Sequence, residues 1–352
     1  MQVVHLLKSA VVASLVFSGA FSYGAESVQL PNLGQMNKYA ADGYSSCWGY
    51  TAPDGTEYAL LGVNNGLSIV DITNAPALKE VAFIGNKKSD WTELKTYKNY
   101  AYVVKDNSPA GIQIIDLSGL PEKAVLVNTV MDYPNNHTLW IDEPRALLFT
   151  VGGDNMGVTI WSLANPTQPK QISTMNGSTY VHDMYVHGNR AYLAEIFSKS
   201  FSSYDITDIA QPKLIKRTRD ANAPYVSFHN MGTSEDGRYL VTTEESNGRH
   251  ARIWDLQDEM NPKEVSKWIG PGNMPHNVHI EGRYAHFAHY GGGYRVVDMQ
   301  DVTNPVEVGH FDTNPDHPKG FVGVWGIYPY FKSGKVIMSS IEDGLFVTHF
   351  TR

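Results

Sequence analysis

Residues 66–71 read GLSIVD: a glycine, a mostly apolar run and an aspartate. The same phrase returns as GIQIID at 111–116, FSSYD at 201–205, HARIWD at 250–255 and GYRVVD at 293–298, with looser copies at 157–162 and 344–348. The final aspartate, or the serine that replaces it, recurs every 43 to 50 residues. A period in the forties built from strand-like segments predicts the blades of a β-propeller.

The copy that follows Pro275 shows the strands of one blade. Strand-like residues occupy 277–280, 284–289, 294–298 and 306–311, and turn-forming residues separate them. Seven such copies succeed one another, and the last lacks a fourth strand. We therefore predict an all-β, seven-bladed propeller that forms one domain over residues 26–352, with residues 27–33 completing the last blade and removing an open sheet edge. Two stacked β-domains are the alternative, which the absence of a Pro/Gly/Ser-rich linker between repeats disfavours.

The composition excludes several classes of protein. Of 352 residues, 42% are apolar and 18% are charged, values of an ordinary globular chain rather than a disordered or membrane-embedded one. Lys and Arg total 28 against 36 Asp and Glu, and the formal net charge is −8. Without a basic run to neutralise phosphates, nucleic acid is not an expected partner. The single cysteine, Cys47, permits no intrachain disulfide.

The N-terminus has the layout of a secretory signal peptide. Lys8 precedes a short apolar run at 9–17, and small residues follow as far as Ala25. The run is too short to span a bilayer, and no other transmembrane segment is expected. We predict that residues 1–25 are a signal peptide and that the protein is exported, to the periplasm or the extracellular space. A buried N-terminal helix is the alternative.

The repeats resemble known exported propellers. The GLSIVD-type phrases look like LVIVD repeats, and the segments GYRVVD at 293–298 and GHFDT at 309–313 are similar to the choice-of-anchor B family. The similarity extends to residues 325–347 and to Trp48 and Trp91 near the N-terminus, so it covers most of the predicted propeller. The resemblance implies a propeller fold and export but no particular activity, which must be argued from the site.

Alignment of the blades brings two columns of side chains to one end of the central channel. The column at the start of the innermost strands reads Trp48, Thr92, His137, His182, His229, His276 and Trp325. The column at the end of the second strands reads Val63, Lys105, Thr150, Glu195, Glu244, His289 and Ser340. Because adjacent strands are antiparallel, both columns reach the same face. The residues predicted to gather there are His137, His182, His229, His276, His289, Glu195 and Glu244.

This histidine ring predicts a transition-metal site. Imidazole nitrogens suit Fe, Cu or Zn, and carboxylates behind them can accept the second ring N–H. The alternative is that the histidines are neutral groups of a wet channel, bonded to water and to loop carbonyls. Asp183, Asn230 and Asn277, each directly after a histidine, are expected to form turns, as are the aspartates that end each repeat phrase.

Two function classes remain open on sequence grounds. One is an exported binding or scaffold propeller that holds a metal, a small molecule, a polysaccharide or a protein at its top face. The other is a metal-dependent enzyme, an oxidoreductase or a polysaccharide-cleaving enzyme, that uses the axial histidines. The sequence contains no nucleophile elbow, P-loop or dinucleotide fingerprint.

Overall fold

The computed structural model describes residues 26–176, 180–219, 228–246, 248–272, 274–316 and 320–351. The signal peptide predicted for residues 1–25 lies outside these residues. Within them the chain is strand and turn, with two 3-10 turns at Gly153–Asn155 and Ile196–Ser198. No helix in these ranges is long and apolar enough to cross a membrane.

The strands form seven sheets, and these are the blades of a propeller. The chain begins with two short strands, β1 (Val28–Gln29) and β2 (Gly34–Met36). Blade 1 comprises β3 (Tyr44–Thr51), β4 (Glu57–Val63), β5 (Gly66–Asp71) and β6 (Lys79–Gly85). Blade 2 comprises β7 (Thr92–Tyr97), β8 (Tyr100–Lys105), β9 (Ile112–Asp116) and β10 (Val125–Val130). Blade 3 comprises β11 (Thr138–Asp142), β12 (Leu147–Val151), β13 (Val158–Ser162) and β14 (Lys170–Met175).

The remaining blades repeat this order. Blade 4 comprises β15 (Asp183–His187), β16 (Arg190–Glu195), β17 (Ser200–Asp205) and β18 (Lys213–Arg219). Blade 5 comprises β19 (Phe228–Thr233), β20 (Tyr239–Glu244), β21 (Ala251–Asp255) and β22 (Lys263–Trp268). Blade 6 comprises β23 (Val278–Glu281), β24 (Tyr284–Ala288), β25 (Tyr294–Asp298) and β26 (Val306–Phe311). Blade 7 comprises β27 (Val324–Tyr328), β28 (Lys335–Ser340) and β29 (Gly344–His349).

The first strands of the blades surround the axis and close the ring. Strand β3 contacts β7, and contacts between first strands continue around through β11, β15, β19 and β23. Between blades 6 and 7 the contact is made by β24 and β27, and β27 contacts β3, which joins the last blade to the first. The seven-bladed all-β prediction is therefore confirmed.

The N-terminal segment is shared between two blades, which differs from the prediction. Strand β2 pairs antiparallel with β29 and supplies the fourth strand of blade 7. The predicted residues 27–33 lie upstream of β2, and β1 instead pairs parallel with β26 as a fifth strand of blade 6. The backbone N–H of Leu33 still donates to the carbonyl of Val347 at 2.8 Å. The segment therefore covers the outer edges of blades 6 and 7 together.

The apolar core lies between the blades rather than in the channel. Inward-facing strand residues of neighbouring sheets pack against each other, as Val241 and Ile253 of blade 5 do with Phe287 and Val297 of blade 6. The repeat aspartates stay outside this core and cap turns as predicted. Asp71, for example, accepts the backbone N–H of Thr73 at 2.9 Å. Changes in the channel can therefore leave the sheets intact.

Removing the N-terminal segment is expected to destabilise the propeller. A chain that begins at Tyr39 loses β1, β2 and the buried Leu30, which packs against blades 6 and 7. Loss of one buried leucine typically costs roughly 2–5 kcal/mol. We expect a clearly lower thermal midpoint, measured by circular dichroism. Leu30→Ala should reproduce much of the loss, whereas Val28→Ala, at a side chain that is 61% exposed, should not. An unchanged midpoint for the shortened chain would contradict this closure.

Candidate functional site

A cavity of about 450 Å³ opens on the axis, at the end where the first strands begin. Its wall contains all four histidines of the first column, His137, His182, His229 and His276. The rest of the wall is largely aromatic and includes Trp91, Tyr290, Phe321 and Trp325. We call this cavity the axial pocket.

The blade repeat places the imidazoles in a row. His137 and His182 directly precede β11 and β15, and His229 lies in β19. The ring centroids of His137 and His182 are 4.2 Å apart, those of His182 and His229 4.1 Å, and those of His229 and His276 4.4 Å. Four successive blades thus contribute neighbouring rings to one wall.

Each ring is held by its Nδ1 atom. The Nδ1 of His182 bonds to the carbonyl oxygen of His229 at 3.2 Å, and the Nδ1 of His229 bonds to that of His276 at 3.1 Å. The Nδ1 of His276 bonds to the carbonyl oxygen of Trp325 in the same way. A carbonyl oxygen can only accept, so these nitrogens carry the proton. In a neutral imidazole the Nε2 lone pair is then available to bind a metal ion or to accept a hydrogen bond.

Burial keeps these rings uncharged. Desolvation, with a smaller repulsion from neighbouring imidazoles, lowers the pKa of His229 and His276 to about 3. The same causes hold the pKa of His182 well below its ordinary value. The Nδ1 of His137 bonds to the Asp106 carboxylate at 2.9 Å rather than to a backbone carbonyl. At neutral pH the rings of His182, His229 and His276 therefore present neutral nitrogen donors.

Glu245 provides a carboxylate that the sequence columns did not select. Its Oε2 lies 3.5 Å from Nε2 of His229, and its Oε1 lies 4.0 Å from Nε2 of His276. The hydroxyl of Tyr290 donates to the same carboxylate. One ligand atom each from His182, His229 and Glu245 lie within 4.8 Å of one another. Since metal–nitrogen and metal–oxygen bonds are about 2.0–2.2 Å long, a small side-chain adjustment would let one ion reach all three.

The second column of the prediction is displaced by one residue. Glu244 and His289 do not line the axial pocket, but the residues that follow them, Glu245 and Tyr290, do. The same holds in blade 7, where Ile341 rather than Ser340 lines the wall. Successive side chains of a strand point to opposite faces of the sheet. An alignment that is wrong by one residue therefore selects the side chain on the opposite face, which packs within the blades instead of lining the channel.

The two predicted carboxylates are instead committed to arginines inside the blades. Glu195, fully buried, accepts from Arg217 at 2.7 Å and 3.0 Å and from the hydroxyls of Ser200 and Ser202. Glu244, also fully buried, lies 3.0 Å from Nε of Arg252. Neither carboxylate lines the axial pocket. The structure therefore does not bring Glu195 or Glu244 behind the histidines as outer partners.

His289 also lies away from the pocket. Its ring is 1% exposed and packs edge-on against Trp268, with centroids 5.5 Å apart. The close approach of Gly270 and Gly292 leaves no room for a larger side chain there, since an added Cβ would lie 2.6 Å and 2.5 Å from the two ring nitrogens. His289 is thus enclosed in the loop region of blades 5 and 6.

Trp48 is also misplaced by the predicted column. A register shift between Tyr44 and Cys47 lengthens β3, and Ser45 rather than Trp48 bonds to Thr92 of the next blade. Trp48 lines a separate cavity of about 260 Å³, where the Lys95 ammonium lies 4.2 Å from the Trp48 ring centroid. Strands β19 and β27 have a similar register shift, yet His229 and Trp325 line the axial pocket, so the shift does not explain the position of Trp48.

The polar residues after the histidines join neighbouring blades. Asp183 accepts from the amide of Asn230 at 2.7 Å, and Asn230 in turn accepts the backbone N–H of Val278 at 2.8 Å. Asp183 also accepts the N–H of Met184. They were predicted as turn formers. Their bonds instead brace the inner strands directly beneath the histidine row.

The fold and site define a seven-bladed β-propeller with a histidine-lined axial pocket. The LVIVD repeat family matches residues 56–82, 91–130 and 273–313. The chain therefore contains LVIVD repeats, as its sequence predicted, in blades 1, 2 and 6. No curated protein matches the chain. The resemblance to the choice-of-anchor B family stays a prediction.

Proposed function

We propose that this propeller is a binding module whose axial pocket holds a transition-metal ion. The ligands would be Nε2 of His182, His229 and His276 with the carboxylate of Glu245. The observation that carries the proposal is the set of Nδ1 bonds to backbone carbonyls, which leaves three Nε2 lone pairs on one wall. Metal-binding histidines commonly have this arrangement, because the second nitrogen fixes the tautomer and the ring orientation.

The donor set also limits the metal. Three neutral imidazoles and one carboxylate are nitrogen and oxygen donors that suit Zn, Cu or Fe and are poorly matched to Mg or Ca, which prefer oxygen. A single carboxylate offsets part of the charge of a divalent ion. The signal peptide predicted at residues 1–25 and the resemblance to exported propellers support a role outside the cytoplasm.

A metal-dependent enzyme is the second candidate, and the space beside the histidines favours it. The axial pocket of about 450 Å³ is much larger than one ion requires, so a ligand could approach the metal. Catalytic metal sites keep such an open position. A redox-active ion in the native protein would favour this reading over a purely binding role.

Two neighbouring glutamates provide the test of the ligand assignment. Glu245→Gln should weaken Zn²⁺ binding by more than the roughly 10- to 100-fold typical of an outer partner, because a charged ligand is lost. Glu244→Gln should leave the affinity within about threefold, since Glu244 faces Arg252 inside the blade. Competition with a chromophoric chelator measures both affinities. Equal losses in the two variants would contradict the assignment.

A further inference from the structure

A second cavity opens from the axial pocket onto the same face. It measures about 670 Å³ and shares Trp91, His137 and His182 with the axial pocket. We call it the side groove. Tyr180 and Phe197 form its aromatic wall, with ring centroids 5.5 Å apart. Phe197 is 73% exposed, so its ring is accessible to a ligand in the groove.

The floor of the side groove carries an aspartate that a tight turn holds in place. Asp154 accepts the backbone N–H and the side-chain amide of Asn135, both at 2.9 Å. The turn requires Gly153, whose φ is +63° and where a Cβ would lie 2.1 Å from the carbonyl oxygen of Asn135. Both of these donors belong to one neutral asparagine, and they fix the position of the Asp154 carboxylate at the groove.

Carboxylates line both cavities. Asp106 and Asp154 line the side groove, and Asp90 and Glu245 line the axial pocket. Among the described residues that line either cavity there is no lysine or arginine. Aromatic faces beside carboxylates attract cations and repel anions.

We propose that the side groove binds a small planar organic cation, stacked on Tyr180 and Phe197 with its positive charge toward Asp154 and Asp106. The aromatic rings recognise the flat face of the ligand and the carboxylates recognise its charge. This site does not depend on the metal, although a ligand seated there would reach toward His137 and His182.

Three probes of equal shape and different charge test the proposal. Benzamidinium, benzamide and benzoate are titrated by NMR into the full-length protein after EDTA treatment, so that metal coordination cannot contribute. We expect the Kd of benzamidinium to be at least about tenfold below that of benzoate at low salt, with benzamide between them. Benzoate binding as tightly as benzamidinium, or no binding of any probe, would overturn the proposal.

Variants locate the site. Asp154→Asn should reduce the preference for benzamidinium over benzamide roughly 3- to 10-fold, as expected for one charge at the mouth of a groove, and leave benzamide binding unchanged. Phe197→Ala should weaken both probes alike. Asp301→Asn, at an exposed turn aspartate that does not line the groove, is the matched control. A preference unaffected by Asp154→Asn would refute the assignment. Metal binding by the same samples is scored separately, so either proposal can fail alone.

Discussion

Replacing His229 with alanine should abolish stoichiometric metal binding and leave the β-sheet circular dichroism unchanged. His229 stands between His182 and His276 in the row, and its Nε2 is the closest imidazole nitrogen to Glu245. Its Nδ1 bond to His276 is lost at the same time. The apolar core lies between the blades, so the sheets should persist. We expect a loss of affinity greater than the roughly 10- to 100-fold of an outer partner, measured by isothermal titration with Zn²⁺ and Cu²⁺.

His279→Ala is the control for this result. His279 is also a buried histidine of an inner strand, but it contacts Trp48 and Tyr330 and does not line the axial pocket. The His279→Ala variant removes the same side-chain volume as His229→Ala. If His279→Ala removed the metal as completely as His229→Ala, the assignment of ligands to the histidine row would be wrong.

Arg217→Ala should destabilise the protein by roughly 3–5 kcal/mol. The change removes the guanidinium that pairs with the Glu195 carboxylate, which has no exposed side-chain surface and also accepts from the hydroxyls of Ser200 and Ser202. Removing one partner of a buried ion pair leaves the other charge buried without its counterion, which lowers the stability of the fold strongly. Replacing both partners lowers the stability much less. Glu195→Gln combined with Arg217→Met should therefore recover much of the loss. Urea denaturation measures the change in the free energy of unfolding.

An exposed ion pair gives the comparison. Arg238 lies 2.9 Å from Asp255, with 45% of its side chain exposed, so Arg238→Ala should cost at most about 1 kcal/mol. Arg217→Ala should also retain metal binding, because Glu195 does not line the axial pocket. If Arg217→Ala abolished metal binding without lowering stability, Glu195 would have to contribute to the metal site, which would contradict its position inside the blade.

The repeat phrase was sufficient to predict the fold. Residues such as 294–298 and 306–311 carry a strand alternation and end at turns, and β25 and β26 have these bounds. The histidines were found because one position recurs in four blades, which bring His137, His182, His229 and His276 to one wall. A repeated position is visible in the sequence, and the propeller fold places the residues at that position next to one another around the axis.

The carboxylate was not predictable in the same way. Glu245 belongs to no repeated column, since its counterparts in other blades include Tyr290 and Ile341. Glu244 and Glu245 are consecutive residues at the end of β20, so their side chains point in opposite directions. The sequence does not show which of the two points into the channel. Trp48 lies three residues after Ser45, the residue of β3 that bonds to Thr92, and it does not line the axial pocket. The short strand β2 could not be distinguished from β1 because both are only two or three residues long.

Metal content of the wild-type protein, purified without an affinity tag, tests the central claim most directly. The samples are incubated with Zn²⁺, Cu²⁺ or Fe²⁺, dialysed and analysed by inductively coupled plasma mass spectrometry. The tethered imidazoles and Glu245 predict about one tightly held ion per chain for at least one of these metals. A wild-type protein that retains none of the three above the level of its His229→Ala variant would contradict the claim, and the histidine row would then be a structural lining of the channel.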